Sequence, residues 1–88
     1  MKVFTLHSDA AHGWLAVKRK SIEELGLTKE ISSYSYTKGS TVYLEEDCDA
    51  PKFLKAYEAN VGSYEIKYGK HYQYSPIRSY KSYQRVVI

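Results

Sequence analysis

The stretch HSDAAHGW, residues 7 to 14, carries residue types that bind metals and transfer protons. Imidazole nitrogens and a carboxylate are good zinc ligands, and catalytic zinc needs three protein ligands with one open position. His7, Asp9 and His12 supply three such groups. Their spacing, H-x-D-x-x-H, matches no established zinc signature. Two interpretations therefore stay open, a small metal site or the turn of a β-hairpin in which Asp9 caps the turn.

The chain offers no recognisable setting for nucleophilic catalysis. Ser8 and Cys48 are candidate nucleophiles, but no glycine elbow and no known cysteine-enzyme context surrounds them. A chain of 88 residues is enough for one domain, and chains this short usually build active sites only between subunits. We therefore predict a non-enzymatic protein without a cofactor.

Tyrosine is over-represented, with ten Tyr against two Phe and one Trp. Tyrosine buries a ring while its hydroxyl seeks water or a partner, so this composition favours a contact surface or a wet, shallow core. The stretch EEDCD, residues 45 to 49, adds a cluster of acids that a helix dipole favours. Such a cluster can also imitate nucleic-acid phosphate in the basic groove of another protein. The predicted partner-binding surface consists of Tyr34, Tyr36, Tyr43, Glu45, Glu46 and Asp47.

The last part of the chain is basic and rich in tyrosine. Between residues 64 and 88 the basic side chains accompany a single acid, Glu65, although the whole chain carries a net charge of only +3. Nucleic-acid bases stack on aromatic rings while Lys and Arg neutralise phosphates. The sequence shows no signature of a known nucleic-acid-binding motif, and alternating tyrosines also build ordinary strands. The residues of this alternative function are Lys67, Lys70, Arg78, Lys81 and Arg85.

The periodicity of the apolar residues predicts a single α+β domain over residues 1–88. We expect a mostly antiparallel β-sheet with one main α-helix and one or two short helices. The predicted elements are a hairpin over 2–18, a short helix over 21–27, a second hairpin over 31–45, the main helix over 49–62, a strand over 63–69 and a helical turn that begins at Ser75 and Pro76.

The register of the second hairpin decides which tyrosines share a face. With Lys38 and Gly39 as a two-residue loop, Tyr34 lies opposite Tyr43. Tyr36 then lies on the same face as both, so the three rings form one aromatic surface. A slip of one residue with a longer loop would reverse that assignment. The exposed tyrosine surface is therefore conditional on this register.

Both helices carry terminal signals. Ser21 and Glu24 form a predicted capping box for the short helix, which Gly26 ends in the left-handed conformation. Asp49 is the predicted cap of the main helix, with Pro51 in the first turn. The predicted apolar stripe of the main helix consists of Ala50, Phe53, Leu54, Tyr57 and Val61.

The N-terminal sequence and the cysteine content predict a cytoplasmic protein. The apolar run after the basic residue Lys2 is too short for a signal peptide, and no run approaches the length of a membrane span. A single cysteine, Cys48, excludes an internal disulfide. We expect no contact with a membrane.

The segments HGW, YLEED and SPIR-x-Y, which begin at residues 12, 43 and 75, resemble a family of small phage- and plasmid-associated bacterial proteins with no known activity. The resemblance covers nearly the whole chain. It implies an accessory protein of mobile elements that binds and modulates a host protein, in an anti-CRISPR, anti-restriction or other inhibitory role. Nucleic-acid binding is the second hypothesis, and the metal site is the third.

Overall fold

Six strands in the described part of the chain form one mixed sheet. The structure is a computed structural model and describes residues 2–84. The strands are β1 (Lys2–Asp9), β2 (Gly13–Lys18), β3 (Tyr36–Lys38), β4 (Thr41–Glu45), β5 (Tyr64–Tyr72) and β6 (Lys81–Ser82). The helices are α1 (Arg19–Glu24) and α2 (Asp49–Asn60), and a 3-10 turn follows at Pro76–Ser79. The predicted α+β class, with one main helix, is confirmed.

The strand order across the sheet is β5-β1-β2-β4-β3-β6. Neighbouring strands run antiparallel except β5, which is parallel to β1 and places Ile66 beside Phe4. A parallel pair needs a crossover connection, which α2 supplies between β4 and β5. The predicted mostly antiparallel sheet is confirmed, and the parallel pair is new, because residue periodicity carries no information on strand direction.

One face of the sheet packs against the two helices and forms the hydrophobic core. Leu15 of β2 lies between Leu6 and Leu44, its partners on the two flanking strands. Phe4 packs edge-on against Phe53 of α2, with ring centroids 5.4 Å apart. Side chains alternate in direction along a strand, so every second residue of a strand reaches this face. The buried core consists of Phe4, Leu15, Val17, Ile22, Ile31, Val42, Leu44, Ala50, Phe53 and Tyr83.

The opposite face of the sheet is covered in part by the segment that leads to β6. Ile77 of the 3-10 turn is buried, and Tyr80 packs against Tyr43 of β4 with ring centroids 5.3 Å apart. The hydroxyl of Ser75 accepts a hydrogen bond from the amide of Ile77 and caps the turn. The predicted turn at Ser75 and Pro76 is confirmed, and it builds a second layer over the sheet.

The second hairpin forms in a register different from the predicted one. Gly39 and Ser40 form the loop, because Lys38 still pairs with β4. Gly39 takes a φ of +61°, the left-handed conformation that a two-residue hairpin turn needs at its first loop position. The pairing therefore shifts by two residues, and Tyr36 lies opposite Tyr43 on one face. The predicted pairing was wrong, but the shared face of these two tyrosines is confirmed.

Strand β2 runs directly into α1, so the predicted capping box is wrong. The helix begins at Arg19, and Ser21 lies inside its first turn. The amide of Arg19 donates a hydrogen bond of 2.8 Å to the carbonyl of Ser40. This contact across the sheet satisfies a helix N-terminal donor without a capping side chain. Gly26 follows the helix with a φ of +70°, as predicted.

Asp49 is the first residue of α2 rather than its cap, because its side chain has other partners. The buried carboxylate accepts hydrogen bonds from the amide and the hydroxyl of Ser32 and from the hydroxyl of Ser35. Lys52 forms an ion pair with the same carboxylate, at 3.6 Å. A buried charge is stable only with such partners. The network therefore holds the loop before β3 against the start of α2.

The C-terminal end of α2 lies at the surface. Val61 is 63% exposed, so its predicted place in the apolar stripe was wrong. The amides of Val61 and Gly62 both donate to the carbonyl of Tyr57, which closes the last turn of the helix. Among the described residues no helix is long and apolar enough to cross a membrane.

Replacing Asp49 with Ala is expected to lower the free energy of unfolding by about 3 kcal/mol, because the buried donors of Ser32 and Ser35 lose their acceptor. Asp47→Ala removes a neighbouring acid whose side chain is exposed, and should stay within about 0.5 kcal/mol of the parent protein. Urea unfolding followed by circular dichroism measures both variants. Equal losses in the two would contradict the role assigned to Asp49.

Candidate functional site

An open groove of about 370 Å³ lies where β2, β3 and β4 meet the first hairpin turn and the 3-10 turn. Trp14 is the second residue of β2, Tyr36 begins β3 and Glu45 ends β4, so three adjacent strands place one side chain each at the same end of the sheet. The loop before β3 and the residue before α2 close its other sides. The residues that line the groove are His12, Trp14, Ser33, Tyr34, Tyr36, Glu45, Cys48 and Arg78.

Trp14 and Arg78 form the inner wall of the groove. Trp14 is 2% exposed, and the guanidinium carbon of Arg78 lies 5.5 Å from the centroid of its ring. The same guanidinium lies 5.2 Å from the ring centroid of Tyr74. A guanidinium over an aromatic face is a favourable cation–π arrangement. Arg78 is therefore stacked between two rings rather than extended into solvent.

A buried carboxylate fixes the position of Arg78. Asp9 accepts hydrogen bonds from Nε of Arg78 at 2.5 Å and from Nη2 at 3.0 Å, a bidentate pairing. The Arg78 guanidinium holds the pKa of Asp9 far below its usual range, and Asp9 in turn raises the pKa of Arg78. Both groups therefore stay charged and paired.

Asp9 also organises the first hairpin turn. Its Oδ1 accepts hydrogen bonds from the amides of Ala11 and His12, each at 3.0 Å, and its Oδ2 accepts one from the amide of Ser75. The stretch HSDAAHGW is thus a hairpin turn capped by Asp9, one of the two interpretations of the sequence. The same carboxylate joins this turn to the start of the 3-10 turn.

The outer wall of the groove carries an acid and several rings. Nδ1 of His12 lies 4.0 Å from Oε1 of Glu45, with side chains 48% and 14% exposed. The rings of His12 and Tyr36 pack against the ring of Trp14, tilted and edge-on respectively, with centroid distances of 6.0 and 6.2 Å. Tyr34 lies in the turn before β3 and is 71% exposed. The groove therefore combines aromatic surface with one carboxylate that faces solvent in part.

The structure brings together part of the predicted partner-binding surface. Tyr34, Tyr36 and Glu45 line the groove, and Glu46 and Asp47 are exposed in the turn that follows Glu45. Glu46 itself lines a separate pocket with Leu15 and Ala50 on the helix-covered side of the sheet, so part of the predicted set meets at the groove and part does not.

Tyr43, the sixth predicted partner-binding residue, lies elsewhere. It is half-buried between Tyr80 and His7, with the His7 ring 5.9 Å away. Burial, and then the neighbouring Tyr80, raises the pKa of Tyr43. The expectation that Tyr43 is exposed was wrong, because the segment after β5 folds back over this face.

The three residues of the predicted metal site are not brought together. Asp9 is engaged by Arg78 and by backbone amides, whereas His7 is half-buried on the sheet, where burial lowers its pKa. His12 points into the groove beside Glu45. Within residues 2–84 no group of three His, Cys, Asp or Glu side chains is placed to hold a metal ion.

The basic residues predicted for nucleic acid are divided between separate regions. Lys67 and Lys70 are exposed on β5, whereas Lys81 lies on β6 at the other edge of the sheet. Arg78 is held in the groove by Asp9. Arg85 lies outside the described residues. These residues are close together in the sequence, but the fold separates them because β5 and β6 are the two edge strands.

Sequence reasoning missed Cys48 and the role of Arg78 as groove residues. Cys48 is a free, half-buried cysteine whose Sγ lies 3.9 Å from Oγ of Ser32. Arg78 pairs with Asp9 over 69 residues of sequence, and no local pattern signals such a contact. Asp9 itself carried a usable signal, because an aspartate in a hairpin loop commonly accepts bonds from the backbone amides that follow it.

Comparison of the chain with protein-family models, with curated proteins and with solved structures found no match.

The pairing of Asp9 with Arg78 predicts a specific dependence of stability on pH. The pKa of Asp9 is lowered from an ordinary value of 3.8, so the pair contributes its full stability above that value. The contribution decreases as the pH falls below about 4, because the unfolded chain then binds a proton that the folded chain does not. Asp9→Asn should therefore be destabilising at neutral pH, with a deficit that shrinks in acid.

Thermal unfolding of both proteins between about pH 2.5 and pH 7 measures that deficit. Asp47→Asn, which removes one charge from an exposed side chain, is the matched control. A deficit for Asp9→Asn that is constant over the whole range would contradict the assigned ion pair.

Proposed function

We propose that this protein is a non-enzymatic binding protein that engages another protein in the cytoplasm through its groove. The resemblance to phage- and plasmid-associated proteins supports a host target, and an anti-defence role such as inhibition of a CRISPR effector or a restriction enzyme. In such a role the protein covers a working surface of its target and carries out no chemistry itself.

The observation that carries the proposal is the composition of the groove. Protein interfaces take most of their binding energy from Trp, Tyr and Arg side chains in well-packed positions. Trp14, Tyr34, Tyr36 and Arg78 line this one groove, which is open to solvent. Ring stacking and the contact with Asp9 hold Arg78 in place before a partner arrives, so little conformational entropy is lost on binding.

Charge around the groove supports a partner with a basic surface. Glu46 and Asp47 are exposed next to Glu45, so three acids follow one another at the end of β4. Complementary charge speeds association and selects among partners. Nucleic-acid enzymes carry basic channels for phosphate, which an acidic protein surface can occupy. This is the class of host target that the groove and its acids fit.

Tyr34→Ala is expected to abolish or strongly weaken capture of the partner, whereas Tyr68→Ala should leave it unchanged. The two tyrosines are matched, at 71% and 75% exposure, but Tyr34 lies at the groove and Tyr68 lies on β5 at the edge of the sheet. Removing an aromatic anchor typically costs at least about 2 kcal/mol of binding free energy.

The measurement is affinity capture from bacterial lysate with the tagged parent protein and both variants, in nuclease-treated and untreated halves. Survival of one protein partner after nuclease, with loss in Tyr34→Ala alone, supports the proposal. Equal capture by all three proteins would contradict it. Unchanged melting temperatures of the variants provide the folding control.

Nucleic-acid binding remains a second candidate function because of strand β5. Lys67, Tyr68 and Lys70 are exposed along this edge strand, and Nζ of Lys70 lies 5.3 Å from the ring centroid of Tyr72. Cationic and aromatic side chains that alternate along one edge suit the phosphates and bases of a single strand. Lysines on an edge strand also prevent pairing between sheets, which needs no ligand.

The double substitution of Lys67 and Lys70 with Gln tests this second function. If the edge binds single-stranded nucleic acid, the slope of log K against log salt should become shallower by about 1.4, or about 0.7 for each lost phosphate contact. Fluorescence anisotropy with a labelled oligonucleotide measures the slope. No binding by the parent protein at low salt would remove this candidate.

A further inference from the structure

We infer that the groove receives a positively charged side chain, arginine or lysine, from the partner protein. This inference rests on the proposed function and adds the chemistry by which the partner is recognised. The stem of the incoming side chain lies on the rings of Tyr34 and Tyr36, and its cationic head lies at the carboxylate of Glu45.

Arg78, the one arginine that lines the groove among residues 2–84, is already paired, so it does not define an anion site. Asp9 accepts from two nitrogens of the Arg78 guanidinium, and the carboxylate is 5% exposed at most. The two opposite charges compensate each other within the protein. An anionic ligand would have to compete with a bidentate, buried carboxylate for the same guanidinium.

The carboxylate of Glu45 is the charged group of the groove that can still accept hydrogen bonds from a ligand. Its Oε2 accepts one hydrogen bond, from the amide of Asp47 at 3.0 Å. Its Oε1 lies 4.0 Å from His12, which is beyond hydrogen-bond distance. An ionised carboxylate has about four acceptor sites, so several remain for a cation. The exposed side chain of Asp47 adds negative charge in the turn that follows β4.

The protein's own guanidinium already occupies the face of Trp14, so the rings left for an incoming cation are those of Tyr34 and Tyr36. Arg78 lies over Trp14 at 5.5 Å and over Tyr74 at 5.2 Å. Tyr34 and Tyr36 supply further rings at the open side of the groove. Cation–π attraction strengthens as water is displaced, so a partner side chain that fills the groove would gain from it.

The groove has room for one such side chain. Its volume of about 370 Å³ falls in the range of small ligand pockets, about 300 to 1,000 Å³. Apolar surface alone would accept many residues, whereas a carboxylate next to rings favours arginine or lysine. The partner chemistry is therefore a basic side chain on an exposed surface.

Titration of the full chain with N-acetyl-arginine methylamide, followed by ¹H–¹⁵N NMR, tests this inference. The chain has one tryptophan, so the indole N–H resonance of Trp14 reports on the groove directly. We expect saturable shifts of this resonance and of the amides of Tyr34 and Tyr36. The citrulline analogue keeps the shape of arginine without its charge and should bind about fivefold more weakly.

Two matched substitutions locate the interaction. Glu45→Gln removes the carboxylate charge with little change of shape and should weaken binding of the arginine probe by about fivefold. Glu58→Gln makes the same change at an exposed position of α2 and should leave binding unchanged. Equal binding of the arginine and citrulline probes, or equal effects of the two substitutions, would overturn the inference. Shifts with N-acetyl-glutamate methylamide instead would also overturn it and assign the groove to an anion.

Failure of this inference differs from failure of the proposed function. If Tyr34-dependent capture of a protein partner persists while the arginine probe gives no shifts, the partner-binding function stands and the cationic ligand is wrong. If the arginine probe binds as expected but no protein partner is captured, the cation site stands and protein binding is wrong.

Discussion

The ion pair between Asp9 and Arg78 is the interaction on which the arrangement of the groove depends. One carboxylate caps the first hairpin turn, holds the guanidinium on Trp14 and accepts the amide of Ser75 ahead of the 3-10 turn. It thereby joins the two segments that border the groove. A buried charge with five donors around it also leaves little freedom of position, because each lost contact is costly at low dielectric.

The second buried carboxylate, Asp49, has a complementary role on the other side of the groove. It holds Ser32 and Ser35 and thereby fixes the turn that presents Tyr34. Ser35 also positions the end of β4, because its hydroxyl accepts a hydrogen bond of 3.0 Å from the amide of Glu45. The rigid frame therefore extends from the start of α2 to the carboxylate at the end of β4. The groove is lined by exposed rings, but its geometry is set by side chains that a ligand would never touch.

The sequence predicts the parts of this fold that local chemistry decides. Gly26 and Ser75 act where their types indicate, and apolar alternation identifies the strands of the core. Prediction fails where a distant group decides the outcome. Ser21 is no cap because the carbonyl of Ser40 already serves the helix end. The groove is predictable only in part, since Tyr36 and Glu45 lie on neighbouring strands, whereas the pairing of Arg78 spans 69 residues.

The parallel pairing of β1 with β5 has a consequence for how the chain reaches its native state. Strand β1 finds its outer neighbour only after the residues of β5 have been synthesised, more than 60 positions later, since Lys2 pairs with Tyr64. Until then one side of β1 presents unpaired backbone groups, a template for association with other chains. Contacts between such distant segments slow folding because loop-closure entropy is lost before they form. We therefore expect β1 to be the segment of a nascent chain that most needs protection from association with other chains.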